Sequence, residues 1–104
     1  MQRYFAGPAA YTTRAVDEPT ALEVAAAYLR GAVEATTTPG RPSGCLAVQA
    51  ALATAPEDRV VRDFLVGSRD EGGARMRARF ARARGEGELP VTSCLLYTSD
   101  AADE

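Results

Sequence analysis

The chain has 104 residues, a formal net charge of −2 and no histidine, and its twelve basic residues are all arginines. This length allows one domain at most, the near-neutral charge argues against a general affinity for nucleic acid, and the lack of histidine removes the commonest general base. The sequence has neither a charged start followed by an apolar stretch nor a long apolar run. It therefore predicts a cytoplasmic protein without a signal peptide or membrane span.

The first segment, up to about Asp17, carries aromatic residues at roughly helical spacing but is interrupted by Gly7 and Pro8. Proline inside a helix removes a backbone hydrogen bond and clashes with the preceding turn. We therefore expect a helix that either kinks at this dipeptide or begins at Pro8.

A second helix is predicted to begin at Thr20, which together with Glu23 fits a capping box. Behind this cap, apolar residues recur on one helical face, and we expect that face to be buried. Its members are Leu22, Ala25, Ala26, Leu29 and Val33. The helix should fade near Thr36, and the proline and glycine residues of 39–42 predict a loop.

Residues 44–53 are apolar around the whole helical circumference, apart from the amide of Gln49 and the thiol of Cys45. A helix without a polar face is normally surrounded by other helices, and a lone amide inside such surroundings needs a partner. We therefore predict a central helix, capped by Ser43 and running to about Thr54, that its neighbours enclose. Gln49 should face inward.

A fourth helix is predicted to open at Pro56 and to continue to Gly85, in spite of the weak point at Gly72 and Gly73. Its expected buried stripe comprises Val61, Phe64, Leu65, Ser68, Met76 and Phe80. The predicted fold is thus all-α, an antiparallel or orthogonal bundle of about four helices.

The arginines of residues 75–84 invite a nucleic-acid interpretation, but they are spread around the predicted helix instead of forming one stripe. Cations near a helix C-terminus are also favoured by the helix dipole. We interpret this run as a solvated helix end, in which Arg75, Arg79 and Arg82 share one exposed face.

The sequence offers little for catalysis, since it has no metal-ligand cluster, phosphate loop or nucleophile motif. We predict that the protein is not an enzyme and has neither a cofactor nor a metal site. Residues with an apolar body could instead surround an internal cavity for a small molecule. These candidate ligand-binding residues are Tyr11, Tyr28, Cys45, Gln49 and Phe64, and plain core packing is the alternative for each of them.

The last residues form a segment of different character. Residues 94–104 contain no arginine after an arginine-rich stretch, and they resemble the translated sequencing-adapter tail found on many environmental reading frames. We therefore divide the chain into a helical domain, residues 1–90, and an adapter-like tail, residues 91–104. A genuine short C-terminal helix is the alternative.

Three landmarks occur in a characteristic order: Arg-Tyr-Phe-Ala-Gly-Pro from Arg3, Pro-Ser-Gly-Cys-Leu-Ala-Val-Gln from Pro42, and Gly-Glu-Gly-Glu-Leu-Pro from Gly85. Over residues 1–90 this order resembles the C-terminal half of TetR/AcrR-type transcriptional regulators. The resemblance implies an effector-binding domain whose pocket lies between helices, and a small effector that changes the hold of an N-terminal helix-turn-helix domain on DNA.

The same resemblance implies that the intact regulator is a homodimer. Its helix-turn-helix would precede Arg3 and its dimer helices would follow Pro90, so this chain is expected to be a truncated, incomplete TetR-type C-terminal domain. DNA would be a partner only through the missing domain. The alternative hypothesis is a free-standing small helical module that binds a protein partner through exposed apolar faces.

Overall fold

The structure is a computed structural model in which residues 2–93 are described, and within that range it is helical with no strand. The all-α prediction is therefore confirmed. Five α-helices and one 3₁₀ turn follow each other along the chain: α1 (Gln2–Ala6), α2 (Tyr11–Arg14), the 3₁₀ turn (Ala15–Asp17), α3 (Ala21–Thr37), α4 (Leu46–Ala53) and α5 (Arg59–Gly85). Most of the predicted adapter-like tail, residues 94–104, lies outside the described range.

The chain is interrupted at Gly7 and Pro8, as expected, but by a turn between two helices, since α1 ends at Ala6 and α2 begins at Tyr11 rather than at Pro8. The backbone N–H of Gly7 donates to the carbonyl of Arg3 at 2.9 Å, and the N–H of Ala9 donates to the carbonyl of Tyr4 at 2.9 Å. These bonds close α1, and the chain then turns so that Ala9 and Ala10 are buried at the start of α2.

Half of the predicted capping box of α3 is present: the side chain of Thr20 accepts a hydrogen bond from the backbone N–H of Glu23 at 3.2 Å, whereas no bond from the N–H of Thr20 to the Glu23 carboxylate is recorded among residues 2–93. The predicted buried face of α3 is wrong for its large residues, although Ala25 and Ala26 are half-buried. Leu22 is 80% exposed, and Leu29 and Val33 are exposed as well, whereas Ala21 and Val24 on another face are buried. The reason is that the elements that contact α3, namely α2, the 3₁₀ turn and α5, bury Ala21 and Val24 and leave the leucine-bearing face uncovered.

The predicted enclosure of the central helix is also wrong. Helix α4 begins at Leu46 with Cys45 rather than Ser43 at its N-cap, and it has no buried residue. Gln49 is exposed, and Leu52 is 80% exposed. Helix α4 packs mainly against α5, and α1 reaches its N-terminal end through the hydrogen bond from Tyr4 to Cys45, so much of the surface of α4 stays exposed.

Helix α5 runs without interruption through Gly72 and Gly73, as expected, although it begins at Arg59, three residues after Pro56. At its end the N–H of Glu88 donates to the carbonyl of Ala83, and the N–H of Gly87 donates to the carbonyl of Arg84. This pair of bonds is a Schellman motif, and it requires the left-handed φ of 85° that Gly87 adopts.

The burial of α5 agrees with the predicted stripe in part. Leu65 is buried, but Val61 and Phe64 are exposed, while Ala83 and the charged Arg79 are buried. The expectation that Arg79 belongs to a solvated face is therefore wrong. Its guanidinium group reaches across to the 3₁₀ turn and hydrogen-bonds the carbonyls of Val16, Glu18 and Pro19.

The hydrophobic core of the described residues is small and built mainly of alanine: Ala9, Ala10, Ala15, Ala21, Val24, Leu65 and Ala83. Alanine contributes little buried apolar area, so each contact supplies little hydrophobic stabilisation. The packing of α2, α3 and α5 consequently depends on close backbone approach and on specific polar contacts.

Candidate functional site

A groove of about 570 Å³ lies between the α1–α2 segment and α3. We call it the α2–α3 groove. Its lining combines glycine, alanine and tyrosine residues with five charged side chains: Gly7, Pro8, Ala10, Tyr11, Arg14, Ala15, Glu18, Ala27, Arg30, Gly31, Glu34, Ala35, Thr38 and Arg41. An apolar floor with a few charged groups is the usual composition of a small-molecule site.

The floor of the groove depends on the close approach of Tyr11 to Gly31. A Cβ atom built on Gly31 would lie 2.3 Å from the Cβ of Tyr11, which is far inside van der Waals contact. Only glycine therefore allows α2 to lie this close to α3. The ring of Tyr11 in turn meets the ring of Tyr28 edge to face, with centroids 5.3 Å apart and an interplanar angle of 75°, a favourable aromatic geometry.

Partial burial makes the Tyr11 hydroxyl, which is already protonated at neutral pH, still less acidic. Burial raises the pKa of Tyr11 above its usual value of 10, and the neighbouring Tyr28 and Cys45 raise it further. The hydroxyl therefore stays protonated across the physiological range and can donate a hydrogen bond.

Three arginines from three segments line this groove: Arg14 from α2, Arg30 from α3 and Arg41 from the loop that follows. The ion pairs recorded among residues 2–93 are Arg79–Glu88 and Arg82–Glu86, so none of the three groove arginines takes part in one. Two carboxylates, Glu18 and Glu34, also line the groove. The formal charge of the lining is therefore +3 − 2 = +1.

A second cluster surrounds Cys45 and joins α1, α4 and α5. The hydroxyl of Tyr4 donates to the Sγ of Cys45 at 3.4 Å. Phe5 packs edge to face on Tyr4 with centroids 5.6 Å apart, and it meets Phe64 at 6.1 Å. This aromatic chain is the contact through which α1 holds α4 and α5.

The local hydrogen bonds determine the acidity of the thiol. Burial alone would raise the pKa of Cys45, but the Tyr4 hydroxyl and the backbone N–H groups of Val48 and Ala47 stabilise the thiolate and hold that pKa below its usual value. Burial, followed by the hydrogen bond to Cys45, raises the pKa of Tyr4 to about 12. Cys45 itself is half-buried.

The five predicted site residues do not surround a single cavity. Tyr11 lines the α2–α3 groove, and the ring of Tyr28 contacts the ring of Tyr11 without itself lining the groove. Cys45 and Phe64 belong to the second cluster, while Gln49 is exposed on α4. Their role in binding a ligand remains a prediction.

Sequence reasoning missed the groove arginines and Gly31. A glycine in the middle of a helix costs about 1 kcal/mol relative to alanine, so Gly31 was itself a signal of close packing. Arg14 precedes Glu18 by four residues, and Arg30 precedes Glu34 by the same spacing. Such spacing is typical of exposed helix pairs, and nothing in it indicates that these charges line a shared groove.

Among residues 2–93 no group of three or more cysteine, aspartate or glutamate side chains could hold a metal ion. None of the described helices is both long and apolar enough to cross a membrane. Comparisons of the chain with protein-family models, with curated proteins and with solved structures found no match.

Proposed function

We propose that this chain is the effector-binding part of a one-component transcriptional regulator of the TetR type, and that it binds a small molecule in the α2–α3 groove. The observation that carries the proposal is the groove itself, which combines an apolar floor around Tyr11 with charged side chains. A volume of about 570 Å³ suits a small organic ligand. The helical architecture is compatible with this kind of domain.

The order of the three sequence landmarks supports the regulator part of the proposal. The five helices would then be a portion of the helical bundle of the effector domain. Effector binding between α2 and α3 would shift the population of two states that differ in operator affinity. The regulator would act in the cytoplasm as a homodimer and would contact DNA through a helix-turn-helix domain.

Ligand binding can be tested by amide ¹H–¹⁵N spectra of the 104-residue chain, recorded during titration with a panel of small organic acids, amides and amines. The expected result is saturable shifts of the amides of Tyr11, Gly31 and their neighbours, with the amides of α4 unchanged as an internal control. If no compound in the panel shifts the groove amides at millimolar concentration, the groove is not an effector site.

The regulator part has a separate test in the genomic DNA around this coding sequence. An in-frame segment of roughly 50 residues that encodes a helix-turn-helix would support it. A flanking sequence that encodes an unrelated domain would contradict it, whatever the titration shows.

A second candidate function is a helical module that binds a protein partner. The observation in its favour is the exposed apolar face of α3, formed by Leu22, Leu29 and Val33 at helical spacing. This alternative predicts a cooperatively folded chain of defined oligomeric state. Size-exclusion chromatography of the same chain and of a Leu29→Glu variant tests it: a defined oligomer that the substitution abolishes supports the protein-binding module, whereas a chain of the same size in both forms contradicts it.

A further inference from the structure

We propose that the ligands of the α2–α3 groove are small organic monoanions, with one carboxylate and an apolar body. This inference rests on the proposed ligand-binding function and names the chemical class of its ligand. Three features of the groove carry it: its apolar floor, the arginines that line it and the balance of its formal charge.

The apolar residues on the floor of the α2–α3 groove indicate an apolar body in the ligand. Ala10, Tyr11, Ala27, Gly31 and Ala35 present small apolar groups and one aromatic ring to the groove. Binding of an alkyl or aryl group on this surface removes apolar area from water, which favours binding. A bare inorganic ion would leave this floor in contact with water.

The carboxylate is indicated by the three groove arginines. A guanidinium group presents a planar fork of donors that matches the two oxygens of a carboxylate. Arg14, Arg30 and Arg41 reach the groove from different segments, and the ion pairs recorded among residues 2–93 use none of them. A ligand with an anionic end would therefore meet donors that the recorded protein ion pairs leave available.

The preference for a single negative charge follows from the two glutamates. Glu18 and Glu34 lie in the same lining and reduce its formal charge to +1. Both carboxylates repel any anion, and they repel a dianion about twice as strongly as a monoanion at the same distance, so a single carboxylate is the better match to the lining. A neutral molecule of the same shape would fill the floor but would make no charge-assisted contact.

The experiment compares three probes on the full 104-residue chain: 1-naphthoate, its neutral isostere 1-naphthamide, and inorganic phosphate. Each is titrated at low ionic strength, and dissociation constants are taken from the amide shifts of Tyr11 and Gly31. We expect 1-naphthoate to bind about three- to tenfold more tightly than 1-naphthamide, and phosphate to leave these amides unshifted. Added salt should reduce the difference between the two naphthyl probes.

Charge-removing variants locate the anionic end of the probe. Arg30→Gln should weaken 1-naphthoate binding about three- to tenfold and leave 1-naphthamide binding unchanged. Arg62→Gln is the matched control, because Arg62 is an exposed arginine of α5 that does not line the groove. Circular dichroism of each variant verifies that the helices are retained.

The outcomes separate this inference from the proposed function. Equal affinity for 1-naphthoate and 1-naphthamide, or an Arg30→Gln variant that binds both as before, would overturn the monoanion inference and leave a ligand-binding groove. Tighter binding of phosphate than of 1-naphthoate would overturn it as well. Unshifted groove amides with all three probes would contradict the inference, and the broader panel described above would then decide the proposed function.

Discussion

Glu88 and Arg79 meet at the start of α3, where Oε2 of Glu88 lies 3.9 Å from Nη1 of Arg79. The other carboxylate oxygen, Oε1, accepts a hydrogen bond from the backbone N–H of Ala21 at 3.0 Å. The Glu88 carboxylate thus accepts from a backbone N–H in the first turn of α3, which has no partner within the helix, and it also lies next to the buried guanidinium of Arg79 on α5. This relationship ties the end of α5 to the beginning of α3.

Removal of the Arg79 side chain should strongly destabilise the fold. Arg79 is 5% exposed, and its guanidinium donates to the three carbonyls of Val16, Glu18 and Pro19. Arg79→Ala would leave those acceptors and the Glu88 carboxylate without their partner, which we expect to cost about 2–4 kcal/mol. Urea unfolding followed by circular dichroism measures this loss.

Arg82→Ala serves as the control for that experiment. Arg82 also pairs with a glutamate, Glu86, at 3.5 Å, but both side chains are more than half exposed. Its removal should cost at most about 0.5 kcal/mol. An Arg79→Ala variant as stable as Arg82→Ala would show that the buried guanidinium does not stabilise the contact between α5 and the 3₁₀ turn.

The carboxylate of Glu88 can be tested by a graded pair of substitutions. Glu88→Gln retains an oxygen that can accept from the N–H of Ala21 but removes the charge opposite Arg79, whereas Glu88→Ala removes both. We expect losses in the free energy of unfolding of about 1 kcal/mol for the glutamine and about 2 kcal/mol for the alanine. Thermal unfolding would contradict this account if the two variants were equally stable or if Glu88→Gln were the less stable.

The behaviour of α5 shows what periodicity could and could not reveal. Its length, its continuity through Gly72 and Gly73 and its end at Gly85 follow from local sequence signals, and the structure agrees. The burial of Arg79 does not follow from these local signals, because it depends on carbonyl groups about 60 residues earlier in the chain that lie beside its guanidinium group in the fold. A charged residue is usually exposed, so a pattern analysis assigns it to the solvent.

Gly31→Ala should destabilise the α2–α3 contact. The added Cβ would lie 2.3 Å from the Cβ of Tyr11 and would push α2 away from α3. We expect a loss of about 1–3 kcal/mol from this overpacking. The measurement is chemical unfolding, and near-ultraviolet circular dichroism should report a changed environment of the Tyr11 and Tyr28 rings.

Gly67→Ala is the matched control, because Gly67 lies inside α5 and a Cβ there would meet nothing within 4 Å. Alanine is the better helix former, so this variant should gain up to about 1 kcal/mol. Opposite signs for the two glycine substitutions are the expected result. A stabilised Gly31→Ala variant would show that α2 does not pack against α3 as described.

The candidate site was only partly accessible from sequence for a related reason. Tyr11 and Tyr28 were identified by their apolar bodies and polar ends, and they do form one contact. Gln49 was placed inward because α4 is apolar on every side, yet α4 has no buried residue. An apolar helix gains free energy when it is buried, but its residues are buried only where other elements of the chain pack against them.

The final prediction concerns the reactivity of Cys45 and its dependence on pH. The Tyr4 hydroxyl donates to the Cys45 sulfur and, with the N–H groups of Val48 and Ala47, lowers the pKa of that thiol. The thiolate is the nucleophile, so Tyr4→Phe, which removes one stabilising donor, should move the midpoint of the alkylation rate to higher pH. The rate of iodoacetamide labelling as a function of pH measures this midpoint, in a Cys94→Ser background that leaves one thiol.

Tyr28→Phe is the control, because it removes a hydroxyl that has no recorded bond to Cys45, and it should leave the midpoint in place. A midpoint that falls in Tyr4→Phe, or that shifts equally in both variants, would show that the hydrogen bond from Tyr4 does not stabilise the thiolate.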